Sequence, residues 1–157
     1  IWSSITGEEF LYLIGALYSM DKEETKKRIP ELLDIFGLAG IEKNYFQDYS
    51  RGNKQKFTIL AAFLHRPQLL LIDEPIVGLD PVSAEIAQKQ FQKFARNGGS
   101  ILMATHTLSV AEKISHRIGI LDQGKLTYTG TAKELKKTAG VPQKSGLEEV
   151  YKQLTSS

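Results

Sequence analysis

The stretch LLLIDEPIVGLD, Leu69 to Asp80, decides how the rest of the chain reads. Leu69 to Ile72 run directly into Asp73 and Glu74, Pro75 follows, and Asp80 stands six positions after Glu74. A short continuous apolar run is the pattern of a strand buried on both faces of a parallel sheet. A lone charge at the end of a buried strand is costly, and a bound cation would remove that cost. Asp80 and Pro81 then open a helix as cap and first position. Its expected buried face is Val82, Ile86, Ala87, Phe91 and Phe94, and Gly98 and Gly99 end it. SILMAT, Ser100 to Thr105, reads as a second buried strand, and His106 follows it.

Downstream, a short helix is expected around Leu108, Ala111 and Ile114. Arg117 to Leu121 and Lys125 to Thr129 read as two strands joined by a turn at Gln123-Gly124. A helix follows at Ala132 to Lys137, and a last one begins at Ser145 with Glu148 at capping distance. Upstream the pattern is helical. Thr6 and Glu9 have capping-box spacing, and Phe10, Leu13, Ile14, Leu17 and Tyr18 recur at helical intervals. Asp21 and Glu24 repeat the signal before Ile29, Leu32, Leu33 and Phe36, with Gly37 as the stop. Pro30 inside that face predicts a kink or a fresh helix start. Ser50 caps a further helix that runs to about Arg66. Strand, helix, strand, helix, strand makes an α/β chain with a mainly parallel sheet.

The 157 residues suit one domain of ordinary size, and 41% hydrophobic with 24% charged composition is that of a globular protein. There is no cysteine, which excludes a disulfide framework and thiolate chemistry. The net charge of +2 is scattered and argues against a nucleic-acid partner. No apolar run approaches the roughly 18 residues of a membrane span.

Ligands of open α/β sheets bind beyond the carboxyl ends of the strands, where Asp73, Glu74 and His106 fall. Asp73 could serve Mg²⁺, and Glu74 could take a proton from a water attacking phosphate. His106 could bond a phosphate oxygen. YSRGNKQK, Tyr49 to Lys56, opens a helix whose free N–H groups suit an anion. Gly52 permits close approach there, and Ser50 and Asn53 offer side-chain hydrogen bonds. Read singly, each has a plain structural alternative: solvated strand-end acids, a structural histidine, an ordinary helix cap.

Together these residues resemble the nucleotide-binding ATPase domain of an ABC transporter, a P-loop NTPase with a RecA-like core. YSRGNKQK is similar to that family's signature, Leu-Ser-Gly-Gly-Gln followed by x-Gln-Arg. LLLIDEP resembles its Walker B strand, VGLDP its D-loop and ATH its switch histidine. The opening ITGEEFL and closing GLEEVYKQLT are similar to the type-two export subclass. The resemblance implies that Asp73 holds Mg²⁺ mostly through water, Glu74 is the general base for ATP hydrolysis and His106 contacts the γ-phosphate. It implies that Ser50 and Gly52, with Arg51 and Asn53 beside them, meet ATP bound to a second ATPase subunit. Asp80 would lie in that dimer interface. Residues 1–66 would be a helical subdomain carrying the signature helix, and residues 67–157 the C-terminal part of the core with its last helix. The partners implied are a transmembrane permease subunit and a second ATPase, homo- or heterodimeric, at the cytoplasmic face of the membrane.

Arg51 and Asn53 depart from the signature glycine and glutamine. No G-x-x-x-x-G-K-[ST] phosphate loop occurs: the near-match GILDQGKL, Gly119 to Leu126, ends in a residue without a hydroxyl and sits in a strand–turn–strand context. The expectation is therefore a C-terminal piece of the domain, lacking Walker A and its N-terminal portion and inactive alone. The alternative is a catalytically silent regulatory or interaction module on the same fold.

Overall fold

Thr6 opens α1 (Gly7–Leu17): its hydroxyl accepts the Glu9 N–H at 3.2 Å, and the Glu9 carboxylate accepts the Thr6 N–H at 2.7 Å. This is the reciprocal capping box that the spacing predicts. A computed structural model of the chain describes residues 4–155. Asp21 caps α2 (Lys22–Phe36) by accepting the Glu23 and Glu24 N–H groups at 2.9 and 3.0 Å. The expected break at Pro30 does not occur, and α2 runs through it. The ring faces solvent, while Ile29, Leu32, Leu33 and Phe36 are buried. Burying each contributes about 1.5–3 kcal/mol, together more than the roughly 3 kcal/mol that an interior proline costs. Gly37 ends the helix at φ 63°, and the Leu38 N–H closes back on the Leu33 carbonyl at 2.8 Å.

A 3-10 turn at Phe46–Asp48 leads into α3 (Arg51–Leu64), where the Ser50 hydroxyl accepts the Asn53 N–H at 3.2 Å. Helices α1, α2 and α3 pack on one another around the fully buried Leu11, Phe36, Phe57, Leu60 and Leu64. Tyr49 stacks on Phe57 with ring centroids 4.8 Å apart and donates its hydroxyl to the Ile41 carbonyl at 2.7 Å. This fastens the residue just before the Ser50 cap.

Strand β1 (Leu69–Asp73) is joined through α4 (Pro81–Arg96) to its neighbour β2 (Ser100–Ala104). The Ser100 N–H donates to the Gln68 carbonyl at 2.9 Å. Both strands therefore start from one end, and α4 is the crossover that such a pair requires. The expectation of a mainly parallel sheet buried on both faces is corrected here. The described residues form two separate two-stranded sheets, and β1 is covered on one side only. Strand side chains alternate between faces: Leu70 is buried, whereas Leu71 is 69% exposed. The expected buried face of α4 is also amended. Ala87 and Phe91 are buried, with Ser83 and Gln88, but Val82 in the first turn is 68% exposed.

The chain divides into two compact units, Ile1–Met103 and Ala104–Ser157. The second holds α5 (Leu108–Ile114), β3 (Ile118–Asp122), β4 (Lys125–Gly130), α6 (Ala132–Thr138) and α7 (Leu147–Thr155). β3 and β4 pair antiparallel across Gln123 (φ 47°) and Gly124 (φ 77°), the positive φ pair that a tight hairpin needs. The Gly119–Leu126 run is thus a hairpin with no helix behind its lysine, as its sequence context predicts. Ala111, Ile120, Leu135, Leu147 and Val150 form this unit's core. Helix α7 starts at Leu147, not at Ser145. Its Leu147 N–H donates to the Glu112 carboxylate at 3.2 Å, and the same carboxylate pairs with Lys136. Lys136 is 91% buried by its 9% side-chain exposure and also donates to the Gln143 carbonyl at 3.0 Å.

That cluster predicts an asymmetry between ion pairs. Lys136→Ala leaves Glu112 without its partner and should lower stability by about 2 kcal/mol, below the full cost of a completely buried pair because Glu112 is partly exposed. Lys89→Ala removes only an exposed pair with Glu85 and should cost no more than about 0.5 kcal/mol. The hydrogen bond from Lys136 holds the Glu112 carboxyl below the usual range. Its contribution is complete above the ordinary glutamate pKa and is lost as pH falls through the lowered one. Urea denaturation of wild type and both variants at neutral and acid pH checks this: the Lys136→Ala deficit should shrink in acid.

Candidate functional site

The end of β1 and the start of α3 meet within the first unit. After Asp73 the backbone turns sharply: Glu74 takes φ 45°, Pro75 to Gly78 form a turn, and Gly78 takes φ 85°. A left-handed conformation at a residue other than glycine costs on the order of 1–3 kcal/mol and persists only where its surroundings enforce it. Inside the turn the Val77 N–H reaches the Glu74 carbonyl at 3.3 Å, and the Leu79 N–H reaches the Ile76 carbonyl at 3.2 Å. From outside, the Gln55 side-chain amide donates to the Pro75 carbonyl at 3.0 Å.

The first turn of α3 lies against the far side of the same loop. A side-chain carbon added at Gly52 would stand 3.1 Å from the Gly78 carbonyl oxygen, and one added at Gly78 would stand 3.3 Å from Arg51 Nε. A side chain at position 52 would press on the Gly78 carbonyl by a few tenths of an ångström, and the φ of Gly78 favours glycine. Arg51 and Gly52 are thus brought against Gly78 of the turn, while the Ser50 hydroxyl caps the same helix by accepting the Asn53 N–H. Asp80 follows and caps α4. It accepts the Val82 and Ser83 N–H groups at 3.0 Å each and the Ser83 hydroxyl. The Ser83 hydroxyl, then the two N–H groups, hold its carboxyl below the usual aspartate range.

Asp73 is exposed and Glu74 half-buried. The buried-charge cost expected for Asp73 therefore does not arise, because the outward face of β1 is open. His106 belongs to the second unit. It is exposed and lies just before α5, beside Thr107, whose N–H donates to the Thr105 hydroxyl at 3.0 Å. Sequence reasoning assigned no task to Gln55. The signal was its spacing: Arg51 and Gln55 are four apart and share one helix face, the face that meets the turn.

Relatives of known family share this arrangement of segments. The sequence profile of the family described as "AAA domain, putative AbiEii toxin, Type IV TA system" matches residues 16–112. The ABC-type transporter ATP-binding protein EcsA of Bacillus subtilis (strain 168) is 35% identical over 155 residues, which are 99% of this chain and 62% of that protein. The linearmycin resistance ATP-binding protein LnrL of the same organism is 33% identical over 135 residues, 86% of this chain and 43% of that protein. A solved structure titled "Structure of ATP binding subunit of ABC transporter" superposes with a TM-score of 0.90 at 32% identity, covering 98% of this chain and 64% of that one. The chain spans about three-fifths of the length of EcsA and of that solved subunit.

These matches correct one expectation. The sequence reading describes a truncated fragment without Walker A, and a fold whose N-terminal portion is missing. The EcsA alignment takes in 99% of the chain and the structural match 98%, so that description is withdrawn. The chain is matched as one continuous stretch of the family fold, helical segment included. By the span of the matching profile the chain belongs to the family described as "AAA domain, putative AbiEii toxin, Type IV TA system", and the order of its motifs is similar to that of ABC transporter ATP-binding proteins.

Proposed function

We propose that this chain works within an ATP-hydrolysing subunit of an ABC exporter, paired with a second ATPase subunit and docked on a transmembrane permease at the cytoplasmic face of the membrane. The observation that supports this most is the seating of the Ser50–Asn53 segment against the Glu74–Gly78 turn, with Gly52 at the Gly78 carbonyl and Gln55 bonded to Pro75. That contact sets the start of α3, a helix N-terminus suited to an anion, against the turn that follows Asp73. The resistance and transport functions in the names of LnrL and of the bacitracin transport protein BcrA of Enterococcus faecalis favour export as the direction. Among the described residues no helix is long and apolar enough to cross a membrane.

Each residue has a distinct task in this reading. Asp73 ends its strand as an exposed carboxylate and is the residue to hold Mg²⁺. No group of three or more His, Cys, Asp or Glu able to hold a metal exists among the described residues. One carboxylate nevertheless suits Mg²⁺, which keeps water and substrate phosphate oxygens as most of its ligands. When bound, the metal neutralises charge on the phosphates. Glu74, which follows Asp73 at φ 45°, takes the proton of the attacking water. His106 contacts the γ-phosphate. Ser50, Gly52 and Asn53 present donors at the helix start, where the helix dipole favours negative charge, to ATP held by the partner. Arg51 adds a positive charge at that point, and its stem lies over Gly78. Asp80 lies at the dimer interface while capping α4.

Two outcomes follow for the assembled transporter. Glu74→Gln should lower kcat for ATP hydrolysis by at least about 100-fold, the usual scale of a lost general base, while ATP affinity is retained. Steady-state turnover together with equilibrium nucleotide binding measures both. A wild-type rate in this variant would sink the assignment and favour the silent interaction module. Gly52→Ala places a methyl group against the Gly78 carbonyl and should weaken nucleotide-driven dimerisation, read by analytical ultracentrifugation with ATP, whereas Thr58→Ala on the exposed side of α3 should not.

A further inference from the structure

The Glu74–Gly78 turn cannot hold its own shape. Its two ends both take positive φ, at Glu74 and Gly78, and its internal hydrogen bonds are long, 3.2 and 3.3 Å. Such a turn needs an external template. Helix α3 supplies one from three positions of its first two turns: the Arg51 stem over Gly78, Gly52 against the Gly78 carbonyl, and the Gln55 amide on the Pro75 carbonyl. The last is a directional bond, and it lands one residue from Glu74. Pro75 is buried, so its carbonyl has little access to water as a substitute.

We infer that Gln55 is a positioning residue for hydrolysis: its amide bond to the Pro75 carbonyl locks the strained turn and so sets the direction of the Glu74 carboxylate. The inference rests on the reading of Glu74 as general base and adds to it the group that aims it. A base works only within hydrogen-bond reach of its proton, and small misplacements are costly in rate. Because Gln55 rides on the helix whose first residues face the partner's nucleotide, its bond makes the partner-facing segment and the base parts of one piece.

The chemistry of the bond gives a clean test. Gln55→Glu keeps size and shape but sets an acceptor carboxylate against an acceptor carbonyl, while Gln55→Lys restores an N–H donor. Hydrogen exchange on the full chain at neutral pH should quicken about threefold to tenfold at the Val77 and Leu79 amides in Gln55→Glu, the range one hydrogen bond sets. Exchange within α1 and α2 should not change. In the assembled transporter, kcat should fall about tenfold with KM unchanged, and Gln55→Lys should recover both exchange and kcat. Unchanged exchange at Val77 and Leu79 in Gln55→Glu overturns the lock. Faster exchange with a wild-type kcat overturns the positioning role. A wild-type rate in Glu74→Gln overturns the base assignment itself and takes the role of Gln55 with it, a result separate from failure of the lock.

Discussion

The close approach of Gly52 to the Gly78 carbonyl, 3.1 Å from where any side chain would begin, is the constraint around which the first unit is organised. It favours glycine at both positions, one for space and one for backbone conformation. It requires α3 to start at a defined residue, which the Ser50 cap and the Tyr49–Phe57 stack secure. It also requires the chain to turn abruptly at the end of β1, which places a non-glycine residue, Glu74, in a left-handed conformation. The three-helix packing behind α3 is thus the support on which the turn is shaped. The burial of Phe57, Leu60 and Leu64, each worth about 1.5–3 kcal/mol, exceeds the local strain that it sustains.

What the sequence made legible was local. Thr6–Glu9, Asp21, Ser50 and Asp80-Pro81 marked helix starts because capping is a matter of one side chain and the next three residues. Gln123-Gly124 marked a hairpin because only certain residues accept two positive φ angles in a row. The misreadings all required knowledge of what lies across from a residue. Pro30 looked like a break because its cost is local, whereas the burial that outweighs it comes from α1 and α3. Leu69, Leu71 and Val82 looked like core because an apolar run does not say how many faces are covered. The start of α7 moved from Ser145 to Leu147 because the acceptor at its N-terminus is Glu112, far away in the chain.

The site divides in the same way. Asp73, Glu74, Ser50, Gly52 and His106 stood out in the sequence by type and spacing. Gln55 stood out only as part of the signature-like YSRGNKQK, and its bond is to a carbonyl twenty positions downstream. The second unit shows the same logic in another place. There Lys136 and Glu112 hold the start of α7 through buried polar bonds that no short motif records. In both units an unmarked polar residue holds a segment that a motif opens: Gln55 bonds the turn after β1, and Lys136 pairs with the carboxylate at the start of α7.

The central claim is that the first turns of α3 and the Glu74–Gly78 turn form a single unit held at Gly52 and Gln55. A double-mutant cycle in chemical denaturation, using Gly52→Ala and Gln55→Glu singly and together, tests it most directly. The cycle cancels the helix propensity gained when alanine replaces glycine, because that gain is common to both sides. If the two residues hold one seat, opening it by either change makes the other cost less, and the effects should fail to add by about 1 kcal/mol. Additivity within about 0.3 kcal/mol would mean that the two contacts are independent, and would contradict the account.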